Sequence, residues 1–518
     1  MRKYGPWLLS VVSAGVLTLA FPRTDIWVLA WGGLIPLLFA LDGKTPWAAF
    51  RISYLCGLLF FAANLYWFFN IARWFSWIAA VGVSLFLLYL ALYFGIFGLI
   101  YGFFSRRTLW AKLFLLPCAW VALEFVRGHL FTGFDWASLG HSQYKNPVMI
   151  QIADITGVFG VSFLVVMANI LIKELIGAFL VRRTSVARWA LAAPAMVGVV
   201  VFVLAWQYGI FRLRPADRSF RSLPQQSVAV IQANIPQEMK WHRPARAEIV
   251  QEHIALSQEA LLFRPDLIVW PETSCPDYLW EEDKFFKQIQ SFVRAANIPL
   301  LFGSVIKEGN DYYNAAILLS AQGNVEGIYR KRHLVPFGEF IPLRRFLPFL
   351  SDLLGIGDFS RGEEYTVFSF SNPRGGSGAF AALVCFEDTV ARLSRQFIRK
   401  GAPLLVNITN DAWFGNTKAP FLHLQSSIFR AVENRRGLVR AANTGVSCAI
   451  DSWGRIVPPL QVAAELKAQK TYVSGYLIAP VSFNDRKTFY TKFGDVFAIL
   501  CFGCILMGVL SQKKNIKA

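Results

Sequence analysis

The feature that most constrains this chain is a series of apolar stretches, each long enough to cross a membrane. A helix needs about 20 predominantly apolar residues to span the hydrocarbon core of a bilayer. Such stretches lie near residues 6–22, 26–42, 48–70, 74–103, 109–127, 157–181, 187–209 and 493–511. The sequence therefore predicts a polytopic α-helical membrane domain of about eight spans.

The composition indicates a second, polar domain beside these spans. The 518 residues are 55% hydrophobic and 16% charged, which is too apolar for a wholly soluble chain and too polar for spans alone. Charged residues are concentrated after the seventh stretch. We therefore predict an N-terminal membrane domain over 1–210, a polar domain over 211–490, and a C-terminal span with a basic tail over 491–518.

The formal net charge of +19 is explained by membrane orientation better than by nucleic-acid binding, because no basic helix or groove motif accompanies it. Cations are concentrated in alternate loops, as in proteins whose cytoplasmic loops are positive. The cations lie in the N-terminal segment, the C-terminal tail and the loops predicted on the same side of the membrane as both termini. They are Arg2, Lys3, Lys44, Arg51, Arg106, Arg107, Lys112, Arg182, Arg183, Arg188, Lys513, Lys514 and Lys517. This pattern predicts that both termini are cytoplasmic and that the polar domain is extracytoplasmic, which in a bacterium means periplasmic.

The polar domain alternates short apolar runs with segments of helical periodicity. Buried strands are predicted over 227–232, 267–270, 300–304, 381–385 and 404–408, and helices over 245–263 and 283–296. Strands that alternate with helices are typical of α/β domains in which helices cover packed sheets.

Cysteine and histidine spacing favours neither a disulfide framework nor a metal site. The seven cysteines are an odd number, and only Cys275, Cys385 and Cys448 lie in the polar domain, without a CxxC pair. The six histidines form no HExxH pattern. We therefore predict no metal and no cofactor.

Three segments of the polar domain carry a carboxylate, an ammonium and a thiol at or near strand ends. Glu272 follows the run 267–270 and a proline, Lys331 follows a strand-like segment, and Cys385 ends another apolar run. Strand ends of an α/β sheet meet at one edge, where sites commonly form. A thiol with an ordinary pKa of about 8.5 needs a base or a cation to react at neutral pH. Glu272 can accept its proton, while Lys331 and the Phe386 backbone N–H can stabilise an oxyanion.

Different interpretations of these residues remain open at this point. A cysteine at a strand end is commonly a small core residue, and Cys275, three positions after Glu272, is a conceivable second nucleophile. His333 and His423 allow a Cys-His thiol hydrolase. Glu339 is conceivable as a turn residue beside Gly338.

Longer motifs carry a resemblance to a known family. In the polar domain these are Trp270-Pro271-Glu272, Tyr329 to Glu339, Cys385-Phe386-Glu387, Gln232 to Gln237, Asn410 to Gly415, Arg440 to Gly445 and Tyr490 to Asp495. In the membrane domain they are Glu124 to Trp136, Leu139 to Gln143 and Gly157 to Phe163. Together, and in this order, they resemble apolipoprotein N-acyltransferases, a membrane-bound branch of the nitrilase superfamily. The resemblance implies a nitrilase-type αββα sandwich.

The resemblance also implies a role for individual residues. Glu272 would be the general base, Lys331 the oxyanion stabiliser, Cys385 the acylated nucleophile, and Glu339 a supporting acid. Pocket residues that contact substrate would be Trp241, Phe386, Glu387 and Trp413.

The implied reaction moves a fatty acyl chain from a membrane phospholipid, through a Cys385 thioester, to the N-terminal α-amine of a diacylglyceryl-apolipoprotein. Two further functions stay open. A membrane-bound amidase or nitrilase-type hydrolase would use the same three residues with water as acceptor. A non-catalytic lipid or lipoprotein chaperone would not need them.

Residues 340–357 are unusually apolar for a loop close to such a site. We hypothesise that Phe346, Phe349 and Leu350, with neighbouring leucines, dip into the outer leaflet and admit lipid chains. Arg344 and Arg345 would then meet phosphates. The competing interpretation is a loop packed on its own domain.

Overall fold

The computed structural model describes residues 4–74, 77–105, 107–180, 185–214, 216, 225–240, 242–279, 283–342 and 359–517. Two units are distinguished by their internal contacts. The first, here the helical unit, comprises Met1–Ala72, Trp77–Arg214 and Phe493–Ala518. The second comprises Arg73–Ser76 and Pro215–Lys492 and is here called the catalytic unit because it carries the three predicted catalytic residues. The C-terminal helix thus packs with the N-terminal helices rather than standing alone.

The helical unit is built from apolar helices joined by short turns. Its α-helices are Gly5–Leu19, Ile35–Leu41, Pro46–Leu65, Phe68–Ala72, Trp77–Phe104, Leu109–His129, Ala153–Thr156, Val158–Leu180, Ser185–Leu213 and Val496–Lys517. Short 3-10 helices are Trp27–Trp31, Leu139–Gln143 and Met149–Ile152.

Five helical segments in the described part of the chain are long and apolar enough to cross a membrane. They are Pro46–Leu65, Trp77–Phe104, Leu109–His129, Val158–Leu180 and Leu191–Leu213. Three shorter apolar segments, Gly5–Leu19, Trp27–Leu41 and Val496–Leu510, lie at the other predicted spans. A polytopic helical domain is therefore confirmed, and the count of eight spans stays a prediction.

Small residues bring two of these helices close together. A Cβ added to Gly102 on Trp77–Phe104 would lie 2.7 Å from the Cα of Pro46, and one added to Gly57 on Pro46–Leu65 would lie 2.6 Å from the Phe94 side chain. Because lipid tails are as apolar as leucine, membrane helices associate through such close backbone packing.

The charges inside the predicted span 157–181 are paired. Lys173 Nζ lies 2.6 Å from Asp42 Oδ2 and 3.1 Å from Glu174 Oε1, and Lys112 Nζ lies 2.9 Å from the same Glu174 oxygen. Ionisable side chains within membrane helices persist when they pair in this way. The ion pairs also join the helix Val158–Leu180 to Leu109–His129 and to the turn after Ile35–Leu41.

The catalytic unit contains fourteen described strands. They are β1 Gln225–Gln232, β2 Leu267–Val269, β3 Cys275–Leu279, β4 Leu300–Glu308, β5 Asp311–Leu319, β6 Val325–Arg330, β7 Phe368–Ser371, β8 Ser377–Val384, β9 Leu404–Thr409, β10 Gly437–Ala442, β11 Cys448–Ile450, β12 Ile456–Val457, β13 Gln461–Val462 and β14 Gly475–Ser482. All five predicted strands are confirmed, with shifted ends. Strands β1 and β8 begin two and four residues earlier than predicted, β2 and β8 end one residue earlier, β9 ends one residue later, and β4 extends to Glu308.

The strands form two sheets of mixed direction. The eight-stranded sheet has the order β13-β14-β1-β2-β4-β5-β6, with β3 also paired to β4, and the six-stranded sheet has the order β12-β11-β10-β9-β8-β7. At the centre of each sheet the pairs β1–β2, β2–β4, β8–β9 and β9–β10 are parallel. Such strands are buried on both faces and consist of apolar runs, which is why the sequence pattern located them.

Helices cover the outer face of both sheets. The α-helices of this unit are Gln237–Lys240, Arg246–Leu261, Asp283–Ala296, Ala391–Arg399, Ala419–Asn434, Ala464–Ala468 and Phe489–Phe493. Arg246–Leu261 and Asp283–Ala296 pack on the eight-stranded sheet, and Ala419–Asn434 packs on β10 and β11. Because β1 contacts β10 and β5 contacts β8, the layers follow the order αββα. The predicted nitrilase-type sandwich is confirmed.

Candidate active site

The three predicted catalytic residues follow strands of two different sheets. Glu272 lies three residues after β2 and Lys331 directly after β6, both in the eight-stranded sheet, whereas Cys385 follows β8 of the six-stranded sheet. The expectation that one sheet edge gathers all three was therefore wrong. Because the two sheets are stacked, the thiol interacts electrostatically with the carboxylate and the ammonium.

Lys331 lies between two carboxylates. Its Nζ donates a hydrogen bond of 2.8 Å to Glu339 Oε1 and lies 4.0 Å from Glu272 Oε1. Burial alone would lower the pKa of Lys331, but the negative charges of Glu339, Cys385 and Glu272 outweigh it and raise that pKa above its ordinary value. The ammonium is therefore held charged and interacts electrostatically with Cys385.

Asn314 on β5 joins the two carboxylates. Its Nδ2 donates to Glu272 Oε1 at 2.8 Å and to Glu339 Oε1 at 2.9 Å. The other Glu272 oxygen, Oε2, accepts a hydrogen bond of 2.8 Å from the Asn410 backbone N–H. Glu272 is 6% exposed, so these donors orient a buried carboxylate that has little contact with water.

Cys385 begins the 3-10 turn Cys385–Thr389 and has a φ of +55°. A left-handed backbone costs energy for a residue with a side chain, and such residues are concentrated at functional sites. The Cys385 carbonyl accepts a hydrogen bond of 3.0 Å from Asn407 Nδ2. The left-handed turn therefore begins at the cysteine itself, while its carbonyl stays attached to β9.

Burial raises the pKa of the Cys385 thiol, and the Glu272 carboxylate raises it further. Lys331 and a hydrogen bond from Thr409 lower this pKa, but by less than burial and Glu272 raise it. The resting thiol is therefore protonated near neutral pH. A nucleophile in this state needs an adjacent base to remove its proton, and Glu272 is the carboxylate that acts on it most strongly.

Glu387 joins the Cys385 turn to the segment after Lys331. Its Oε1 accepts hydrogen bonds from the Tyr329 hydroxyl at 2.8 Å and from the backbone N–H groups of Arg332 and His333 at 2.8 and 3.0 Å. Its Oε2 accepts one from the Val384 N–H at 2.8 Å. Glu387 is fully buried, so these bonds favour a positioning role. The predicted contact with substrate stays a prediction.

The remaining predicted pocket residues are only partly described. Phe386 is half-buried, and its ring is stacked on His333 with centroids 6.0 Å apart. Trp413 is half-buried in the 3-10 turn Asp411–Phe414. Trp241, Phe346, Phe349 and Leu350 lie outside the described residues, as does most of the apolar loop, so their predicted roles stay predictions.

His423 is occupied by carboxylates rather than by the thiol. Its Nε2 lies 2.6 Å from Asp388 Oδ1 and its Nδ1 lies 3.0 Å from Asp411 Oδ1. Arg440 completes this buried cluster with contacts of 2.9 and 3.0 Å to the same two acids. The geometry therefore gives no support to His423 as the base of a Cys-His hydrolase.

The structure also gives no support to His333 as a base or to Cys275 as a second nucleophile. Burial lowers the pKa of His333 to about 4, so this imidazole is neutral, and its ring packs on Phe386 as described above. Cys275 is 1% exposed and belongs to the apolar core of the eight-stranded sheet. Among the described residues, no group of three or more His, Cys, Asp or Glu side chains could hold a metal ion.

Sequence reasoning missed Asn314 and Lys240. Asn314 stands at the start of the apolar run 314–319 of β5, and a buried amide in a strand needs hydrogen-bond partners, which is the signal that could have found it. Lys240 Nζ donates to the carbonyls of Glu272 and Thr273 at 2.8 and 3.2 Å. Its position in a short polar segment carried no comparable signal.

Family models match parts of both units. The family model described as "Apolipoprotein N-acyltransferase N-terminal domain" matches residues 13–171, and the one described as "Carbon-nitrogen hydrolase" matches residues 227–473. A carbon-nitrogen hydrolase structure from Helicobacter pylori is 15% identical, covers 55% of this chain and 94% of its own, and has a TM-score of 0.37.

Curated relatives match over nearly the whole chain. An apolipoprotein N-acyltransferase of Geobacter metallireducens is 39% identical over 98% of this chain and 96% of its own length. One from Methylococcus capsulatus is 33% identical over the same shares. The chain therefore belongs to the apolipoprotein N-acyltransferase family and is a membrane-bound acyltransferase.

Proposed function

We propose that this enzyme transfers a fatty acyl chain from a membrane phospholipid to the N-terminal α-amine of a diacylglyceryl-apolipoprotein, through a thioester on Cys385. The observation that carries the proposal is the grouping of a protonated, buried thiol with Glu272 and a charged Lys331. The names of the full-length relatives supply the substrate class.

In the first half-reaction, Glu272 accepts the thiol proton while the Cys385 sulfur attacks the ester carbonyl of the phospholipid. Lys331 and the Phe386 backbone N–H stabilise the oxyanion of the tetrahedral intermediate. The C–O bond then breaks, and Glu272 returns its proton to the departing alkoxide. The products are a lysophospholipid and an acyl-enzyme.

In the second half-reaction, the lipoprotein α-amine attacks the thioester carbonyl and Glu272 accepts the ammonium proton. The C–S bond breaks, an amide forms, and the proton returns to the Cys385 sulfur. A buried site favours attack by the amine over hydrolysis, because limited access of water protects the thioester. Burial of Glu272 and Cys385, at 6% and 9% exposure, is consistent with that requirement.

Mass spectrometry of the purified full-length protein tests the acyl-enzyme. After incubation with mixed micelles of phosphatidylethanolamine, we expect Cys385 to gain the mass of one acyl chain. Cys385→Ala should gain none. Glu272→Gln should acylate more slowly by a factor of about 10² to 10⁴, the usual contribution of a general base. Acylation of a different residue would contradict the proposal.

The same experiment separates acyl transfer from hydrolysis. Addition of a synthetic diacylglyceryl-cysteine peptide to the acyl-enzyme should remove the adduct and yield an N-acylated peptide. The same peptide with an N-acetylated α-amine, whose amide nitrogen is not nucleophilic, is the control and should leave the adduct in place. Loss of the adduct to free fatty acid at the same rate with either peptide would support a hydrolase.

A further inference from the structure

Lys240 is a buried cation that the proposed mechanism does not use. It is 1% exposed and ends the short helix Gln237–Lys240. Its Nζ donates to the backbone carbonyls of Glu272 and Thr273 at 2.8 and 3.2 Å. Isolated buried charges are costly, so a lysine held by neutral carbonyls at this position calls for a functional explanation.

The turn that Lys240 holds is strained and closely packed. Thr273 has a φ of +51°. A Cβ added to Gly303 on β4 would lie 2.7 Å from both the Glu272 Cα and the Thr273 N. The Gly303 N–H donates to the Pro271 carbonyl at 3.3 Å, and Lys240 bonds the next two carbonyls. Three consecutive carbonyls of the turn are therefore occupied, two of them by one ammonium.

The site contains two buried cations, Lys331 and Lys240, and two carboxylates, Glu272 and Glu339. Lys331 is paired with Glu339 at 2.8 Å, which leaves the Glu272 carboxylate, among the described residues, without an ion pair shorter than 4.0 Å. Burial lowers the pKa of Lys240 to about 8, while the negative charges of Glu272 and Cys385 act in the opposite direction. Lys240 is therefore electrostatically coupled to both reacting groups and is mainly charged at neutral pH.

We infer that Lys240 is a positioning residue that orients the Glu272 turn through its carbonyls and places a positive charge beside the Glu272 base. This inference rests on the proposed function of Glu272. It assigns two separable contributions to one side chain, the hydrogen bonds and the charge.

Two substitutions separate these contributions. Lys240→Gln keeps N–H donors without the charge, and Lys240→Met removes both. We expect the acid limb of the pH profile of Cys385 acylation to move upward by about one unit in both variants, a tenfold lower rate on the acid side. Lys240→Met should also lower the plateau because the turn loses its donors. Phosphatidylethanolamine mixed micelles serve as acyl donor.

Lys418→Gln is the matched control. Lys418 directly precedes the helix Ala419–Asn434, and burial lowers its pKa to about 8, as it does at Lys240. Its removal should leave the acid limb in place. An unmoved acid limb in both Lys240 variants would overturn the inference, as would an equal shift in Lys418→Gln. Reduced yield of folded protein with an unchanged profile would show a merely structural lysine and overturn it too.

Alkylation of Cys385 by iodoacetamide tests the inference without lipid. Lys240→Gln should lower the rate about tenfold at the pH where the acid limb of the wild-type profile lies, because the site loses a positive charge that favours the charged forms of the base and the thiol. If the wild-type protein forms no acyl-enzyme while this effect persists, the proposed function fails and the role of Lys240 stands. If acylation proceeds and the effect is absent, the inference alone fails.

Discussion

Asn314 shows how single residues set the chemistry of this site. One amide donates to both Glu272 and Glu339, and an amide can do so because it carries two N–H groups. A carboxylate at the same place could only accept hydrogen bonds. The distance between the two acids therefore depends on a neutral donor between them.

Asn314→Asp tests this dependence with almost no change in shape. A third carboxylate beside Glu272 and Glu339 adds like-charge repulsion in a buried site, so we expect acylation of Cys385 to fall at least about tenfold. The rate of acyl-enzyme formation measures the effect. Asn324→Asp, at an exposed turn of the same unit, should keep the wild-type rate. An active Asn314→Asp enzyme would show that Asn314 has no such role.

Among the secondary-structure elements of the catalytic unit, the helix Arg246–Leu261 connects the outer helical layer to the segment before Glu272. His253 on this helix is fully buried, and its ring lies 5.1 Å from that of Trp270. Its Nδ1 lies 2.7 Å from the Ile249 carbonyl. Burial lowers the pKa of His253 to about 3, so the folded unit keeps this imidazole neutral.

A pH dependence of stability follows from His253. Between about pH 6.5 and 3 the unfolded chain binds a proton at this residue and the folded chain does not, so acid favours unfolding. The free energy of unfolding should fall by up to about 1.4 kcal/mol per pH unit across this window. Thermal unfolding of wild type and His253→Gln as a function of pH measures the difference. Equal slopes in the two proteins would contradict the assignment.

The charges of the loops predict how the whole molecule is oriented in the membrane. The alternation of cationic loops predicts cytoplasmic termini and a periplasmic catalytic unit. Lys467 is exposed on the catalytic unit and Lys44 lies in the loop before the helix Pro46–Leu65. The two positions are therefore predicted to be on opposite sides of the membrane.

Single cysteines at these positions test the orientation. A membrane-impermeant maleimide added to cells with a permeabilised outer membrane should label Lys467→Cys. Lys44→Cys should react only after the inner membrane is disrupted. The wild-type protein, whose seven cysteines are buried or half-buried, gives the background. Labelling of Lys44→Cys in intact cells, without labelling of Lys467→Cys, would reverse the proposed orientation.

The sequence by itself determined the membrane helices, the central strands and the identity of Glu272, Lys331 and Cys385 as candidates. It could do so because apolar runs and motif residues are local features of the chain. The tertiary structure decided which groups surround these candidates. Asn314, Asn410 and Lys240 contact Glu272 from 42, 138 and 32 residues away, and the thiol reaches it from a second sheet. Such contacts depend on how sheets stack and turns pack, which no local pattern encodes.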